Sequence, residues 1–251
     1  MSTTIAAGAT NSSADRLRFR FTFNFLMALI MAAITIYGFS QTIGDSLIHP
    51  SIPRPRLLYV HAVLMGAWLS IYILQTGLVA SRNVKLHQHF GPIWIAVGAA
   101  LPIIGVATGN VMRRFDIIHY HEPASFIAVI LWDMMAFSTL LLLAVLWRKR
   151  PESHRRLMFL ATCGLMDAGF GRFPLFGPFV FTVWGLFSRE YVGIIALIVI
   201  AMTRDLLVQR RIHPVYRVAL PLIVIGQLLA CVLSASPPAF WTTLSHRIVG
   251  L

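Results

Sequence analysis

Apolar residues fall along this chain in long blocks, separated by short polar stretches rather than alternating with them. The blocks cover 20–44, 57–80, 91–112, 123–147, 156–173, 190–208 and 217–236. Each approaches the roughly 20 residues that a helix needs to cross about 30 Å of hydrocarbon. Inside hydrocarbon every backbone N–H and C=O needs an internal partner, which a helix supplies. The pattern therefore predicts an all-α polytopic membrane protein, a seven-transmembrane-helix bundle. The stretch 174–189, "PLFGPFVFTVWGLFSR", reads differently, because Pro174 and Pro178 interrupt helix hydrogen bonding. It reads as an aromatic-rich interfacial or re-entrant connection. Residues 1–15 are small and polar and read as a disordered cytoplasmic tail, which leaves 16–251 as a single transmembrane domain. The first apolar block is longer than the core of a signal peptide, and no small-residue cleavage site follows it.

Composition supports the membrane reading: 57% of the 251 residues are hydrophobic and 12% are charged. A formal net charge of +12 would suit a nucleic-acid surface, but its placement argues otherwise. With the N-terminus inside, fourteen of the 21 Lys and Arg residues fall in four inner clusters, at 16–20, 82–85, 148–156 and 204–217. Six lie on the other side, and Arg172 falls within a span. The positive-inside rule then puts the N-terminus in the cytoplasm and the C-terminus outside, with the cations at lipid headgroups. The partner implied is the lipid bilayer and not nucleic acid. The two cysteines, Cys163 and Cys231, lie within predicted spans and read as small core residues. A retinal-type Schiff base needs a lysine inside the bundle, whereas Lys85 and Lys149 are both in inner loops. Nucleotide-binding loops and HExxH helices are absent from the sequence.

Histidine is the first candidate for chemistry. His61 opens the second span, and "LHQHFG" puts His87 and His89 at the start of the third. "HYHEP" puts His119 and His121 at the start of the fourth, and "PESHRRLM" puts His154 at the start of the fifth. Alternate starts share a membrane side, so His61 pairs in depth with His121 or His119, and His154 with His89 or His87. Residues two apart do not share a helix face, so only one member of each HxH pair can face a given partner.

This placement, with the local pattern His61-Ala-Val-Leu-Met65, resembles the ascorbate-type transmembrane b cytochromes. In that family four central helices carry two haems, each held by histidines from alternate helices. The resemblance implies haem b, with His61 and His121 holding an outer centre and His89 and His154 an inner one. It also implies transmembrane electron transfer, with a redox partner or membrane complex. Neutral imidazole is a good axial ligand for haem iron. "HAVLMGAWLSIYILQTGLV", "LHQHFG", "WDM", "HRRLMFLATCGLMDAGFGR" and "RRIHPVY" together resemble a broad group of uncharacterised bacterial multi-pass proteins. That similarity implies a bacterial inner-membrane bundle and no particular reaction.

The acids carry a competing expectation. Asp133 in "LWDMMAF" and Asp167 in "GLMDAGF" both reach roughly mid-membrane. An aspartate there costs on the order of 2.5–3.5 kcal/mol unless it meets a partner or a wet cavity. With Arg172 they make a candidate polar cluster for a proton-coupled transporter or an intramembrane metal-dependent enzyme. The same residues would serve equally to fix helix register in a structural or assembly subunit of a membrane complex. Gly98, Pro102, Gly105 and Gly109 form a smooth face on the third span that favours close helix packing. His61, Met65, Trp68, Tyr72 and Gln75 form a stripe on the second that faces the bundle. "TRDLLVQRRIHPVY" reads as a helix-end clamp at the headgroups through Arg204, Asp205, Arg211 and His213.

Overall fold

A computed structural model of the chain describes residues 7–174 and 181–251, with side chains from residue 23 onward. The described residues are helical throughout and contain no strand. In chain order the helices are α1 (Ala7–Ser40), α2 (Arg56–Ala80), α3 (Val84–Tyr120), α4 (Ile127–Leu146), α5 (Pro151–Gly164), α6 (Asp167–Phe170), α7 (Val183–Glu190), α8 (Val192–Gln209), α9 (Pro214–Ala235) and α10 (Ala239–Val249). A π-helical turn, Gly44–Ile48, follows α1, and a 3-10 turn, Ala124–Phe126, leads into α4. The backbone is helical from Ala7, so α1 takes in most of the segment expected to be a tail.

Among the described residues six helices are long and apolar enough to cross a membrane: Phe23–Ser40 within α1, then α2, α3, the Ala124–Leu146 stretch that includes α4, α8 and α9. This is an all-α polytopic architecture. Its surface is inside-out relative to a water-soluble fold. On α9, Val218, Leu222, Ile225 and Leu229 are each more than half exposed, while Gln227 on the opposite face is buried. An apolar stripe of that extent calls for an apolar surround in place of water.

The predicted fifth helix, 156–173, is not continuous. After Gly164 the chain turns at Leu165 and Met166, whose amides bond back only three residues, to Thr162 and Cys163. Glycine is a poor helix former, and Asp167, which opens α6, favours a helix start over a helix interior. The interruption does not change direction. Leu140 and Leu160, then Ala136 and Gly164, line one cavity, and Asp133 meets Asp167. The antiparallel register of α4 with α5 therefore carries through the break into α6.

The remaining contacts fix the levels of the bundle. Thr108 of α3 donates to the Leu57 carbonyl of α2 at 3.5 Å, and Gln75 of α2 donates to the His87 carbonyl at 3.4 Å. The small-residue face of α3 is filled by α4: Leu141, Met134 and Ile130 occupy the space a Cβ would need at Gly98, Gly105 and Gly109. Ser125 donates to the Ser234 carbonyl at 2.7 Å, and Trp132 lies over Gly226, which fixes α9 against α4. Gly38 allows α1 to meet α6 backbone to backbone, since a side chain there would overlap the Gly169 carbonyl. Trp68 and Tyr72 of the α2 stripe are buried, and Trp68 packs edge-on against Phe137 at 5.2 Å.

A buried carboxyl cluster at a helix break

The two central aspartates are brought together, and residues outside the sequence expectation complete their surroundings. Asp133 projects from α4 and is 5% exposed. Its carboxyl lies next to that of Asp167, which stands at the start of α6, so that each acts on the other's proton. Tyr191, fully buried between α7 and α8, lies with its hydroxyl 3.3 and 3.4 Å from the two Asp133 oxygens and donates to that carboxyl. Glu190, the last residue of α7, is buried beside them, with Arg189 Nε 3.3 Å from its carboxylate. Gly171 makes room for Glu190, because a Cβ at Gly171 would sit 2.5 Å from Glu190 Oε2.

Arg172 borders the cluster and exerts its charge on both Asp167 and Glu190. Its direct partners are the Ala168 carbonyl, Thr42 Oγ1 at 3.0 Å, and the Phe39 ring 4.1 Å beneath the guanidinium. A carboxylate only accepts hydrogen bonds, so a hydrogen bond between two carboxyls requires a proton on one of them. The Asp133–Asp167 contact is thus a place that can hold one proton between two elements.

Beside Asp133 lies a cavity of about 10 Å³. Its polar wall is Asp133 and Gln227, and the rest is largely aliphatic, including Leu140, Leu160, Ile194 and Ile198. Gln227 is 2% exposed, and its Oε1 has no protein partner. Glu190, Tyr191 and Gln227 escaped the sequence reading. The available signal was a lone amide within the otherwise apolar 217–236 run, and an acid and a phenol adjacent at its neighbour's start.

The histidines divide. The rings of His87 and His154 face each other with centroids 6.3 Å apart, and His154 Nδ1 is bonded to the Ala144 carbonyl at 2.8 Å. His89 is exposed and its ring lies against Phe90 instead. His61 is half-buried with Nδ1 unpartnered. His121 caps α3 in a left-handed conformation and is exposed, while His119 stacks on Phe115 and bonds its carbonyl. Among the described residues no ring contact joins His61 to His121 or His89 to His154. No three His, Cys, Asp or Glu side chains among the described residues are arranged to hold a metal ion.

At the opposite level, where α5 begins and α8 ends, a second polar network is buried. Arg156 Nε donates to Asp205 at 2.7 Å, and its NH1 donates to Glu152 at 2.8 Å. Arg204 and Gln209 also reach Asp205, at 3.3 and 3.1 Å. Asp205 therefore ties the end of α8 to the start of α5 through Arg156, and His213 caps α9 by accepting from the Val215 amide at 3.2 Å. Comparison of the chain with family models, curated proteins and solved structures found no match.

Proposed function

We propose that the protein is a proton-coupled transporter of the bacterial inner membrane. On this reading it has seven crossings, with its N-terminus inside and its C-terminus outside. The observation that carries the reading is the juxtaposition of Asp133 and Asp167 at the break between α5 and α6. Discontinuous helices and paired intramembrane acids are the usual materials of proton and ion coupling. The proton controls a mechanical contact. With one proton the carboxyls bind each other; with none, two adjacent like charges in a poorly screened interior repel. The element they act on is short: α6 has four residues, with turns at 165–166 and 171–172 on either side. Release of the proton would therefore push α6 from α4, and Gly38 on α1 would feel the movement through Gly169.

The test is charge movement in reconstituted vesicles on a solid-supported membrane after a pH step. Wild-type protein should give a transient current, and Asp133→Asn and Asp167→Asn should abolish it while the variants still insert and fold. Normal currents with a lowered melting temperature would instead make the acids a structural network.

A second reading is favoured by the His87–His154 pair. The two rings meet edge-on with centroids 6.3 Å apart, and His87 Nδ1 has no protein partner. The His154 Nδ1–Ala144 contact also resembles the outer-shell bond that orients a ligating imidazole. On this reading His87, in place of His89, joins His154 in holding haem b, which would supply one-electron chemistry. Protein from haem-sufficient cells should then show a b-type reduced-minus-oxidised spectrum that His87→Ala or His154→Ala removes and His89→Ala leaves intact. A colourless folded protein would end it.

A further inference from the structure

The proton reading leaves open how the buried pair is served and which ion it answers to. The Asp133 carboxyl already engages Tyr191 and Asp167, and it also forms part of the wall of the cavity shared with Gln227. Gln227 cannot be dismissed as a loosely placed amide. Its neighbour Gly226 is pressed under the Trp132 ring, so α9 is locked in depth to α4 at the level of Asp133. An amide oxygen at 2% exposure without a partner is costly to leave unmet. The cavity of about 10 Å³ is close to the smallest volume that takes one water molecule.

We propose that this cavity is a binding site for a single water molecule, held by Gln227 Oε1 and the Asp133 carboxyl, and that it makes the proton, not a metal cation, the coupled ion. The proposal rests on the proton-coupled reading above. A water donates to Gln227 and uses its second hydrogen or its lone pair at Asp133, whichever the carboxyl's protonation state requires. Hard metal cations typically need six or more oxygen ligands. The cavity's side chains supply only the Asp133 and Gln227 oxygens, and its other lining side chains, Trp132, Leu160, Ile194 and Ile198 among them, are apolar. Toward α5's start, Leu157, Leu160 and Ala161 separate the site from Arg156, eight residues or about 12 Å from Gly164. The water therefore belongs to the carboxyl pair and not to the ion network beyond that apolar layer.

The same pH-step currents test the site. Gln227→Leu keeps the volume and removes the acceptor, and Ala136→Val fills the cavity from the α4 side without touching Gln227. Each should slow the current about tenfold and alter its H2O/D2O rate ratio, with the total charge moved unchanged because both aspartates remain. Replacing sodium by choline should change nothing. Wild-type rates in Ala136→Val, or a current evoked by a sodium jump at constant pH, would overturn the proposal while leaving the aspartate reading in place. Wild-type currents in Asp133→Asn would remove both.

Discussion

His213 caps α9 through a nitrogen lone pair. Its Nδ1 accepts from the Val215 amide, which an imidazolium cannot do, since both its nitrogens carry hydrogen. Partial burial first, and then the Arg156 charge, hold its pKa below the ordinary histidine value. The folded state thus binds this proton more weakly than the unfolded state. The stabilisation is complete above the unfolded pKa of about 6.5 and is lost as pH falls below it. The group is only partly buried, so solvent screens it and the effect should stay within that of an ordinary helix cap, about 1 kcal/mol. Thermal melts should show wild-type stability declining from pH 7.5 to 5 more steeply than His213→Asn, which caps without titrating. Equal slopes would assign the pH dependence elsewhere. This role was not legible in "RRIHPVY", because a cap depends on which nitrogen meets the amide. Asp133 and Asp167 were legible because a charge within an apolar run has to be explained, whereas Tyr191 and Gln227 are residues any bundle tolerates. The sequence also required that only one of His87 and His89 face inward. Selecting His87 needed the true start of α3 at Val84.

Hydrophobic runs locate helices well where the run and the helix end together. The 57–80 and 217–236 runs match α2 and α9 within a few residues, since Pro55 precedes one and Pro214 begins the other. The 91–112 run undershoots α3, which has 37 residues. Its length of about 55 Å exceeds a hydrocarbon core of about 30 Å. Its ends carry charge yet remain helical, because Arg113 pairs with Asp116 at 2.7 Å and with Glu122 at 2.8 Å. Hydropathy registers the cost of such charges and not their partners. The break at 165–166 was hidden for the opposite reason: "CGLMDAGF" is apolar enough to continue a helix, so hydropathy overrides the weaker helix-breaking signals of Gly164 and Asp167. The expected connection at 174–189 lies partly outside the described residues, while 183–190 within it is helical as α7.

At the scale of the molecule, the number of crossings depends on whether 151–173 passes through the bilayer or turns back. Two contacts bear on it. The Arg156–Asp205 pair sets the start of α5 level with the end of α8, and the Tyr191–Asp133 bond sets the start of α8 beside the first turns of α4. Between Arg156 and Tyr191 the chain must therefore travel from one level to the other, as the register along α4 also requires. Charge agrees: without that crossing, the basic 204–217 cluster would face outward, against the positive-inside bias. Single cysteines settle the matter by reagent access, in a background with Cys163 and Cys231 replaced, both of which are buried. Lys85→Cys, Arg150→Cys and Arg211→Cys should react only from the cytoplasmic side, and Ser51→Cys and Ile118→Cys only from outside. Trp184→Cys decides, since that residue is 72% exposed on α7. Labelling from outside, opposite Arg150→Cys, gives seven crossings and termini on opposite sides. Labelling from the same side as Arg150→Cys would make α5 and α6 re-entrant and reduce the crossings to six. It would also place Asp167 at the tip of a hairpin, from which a proton reaches only one face.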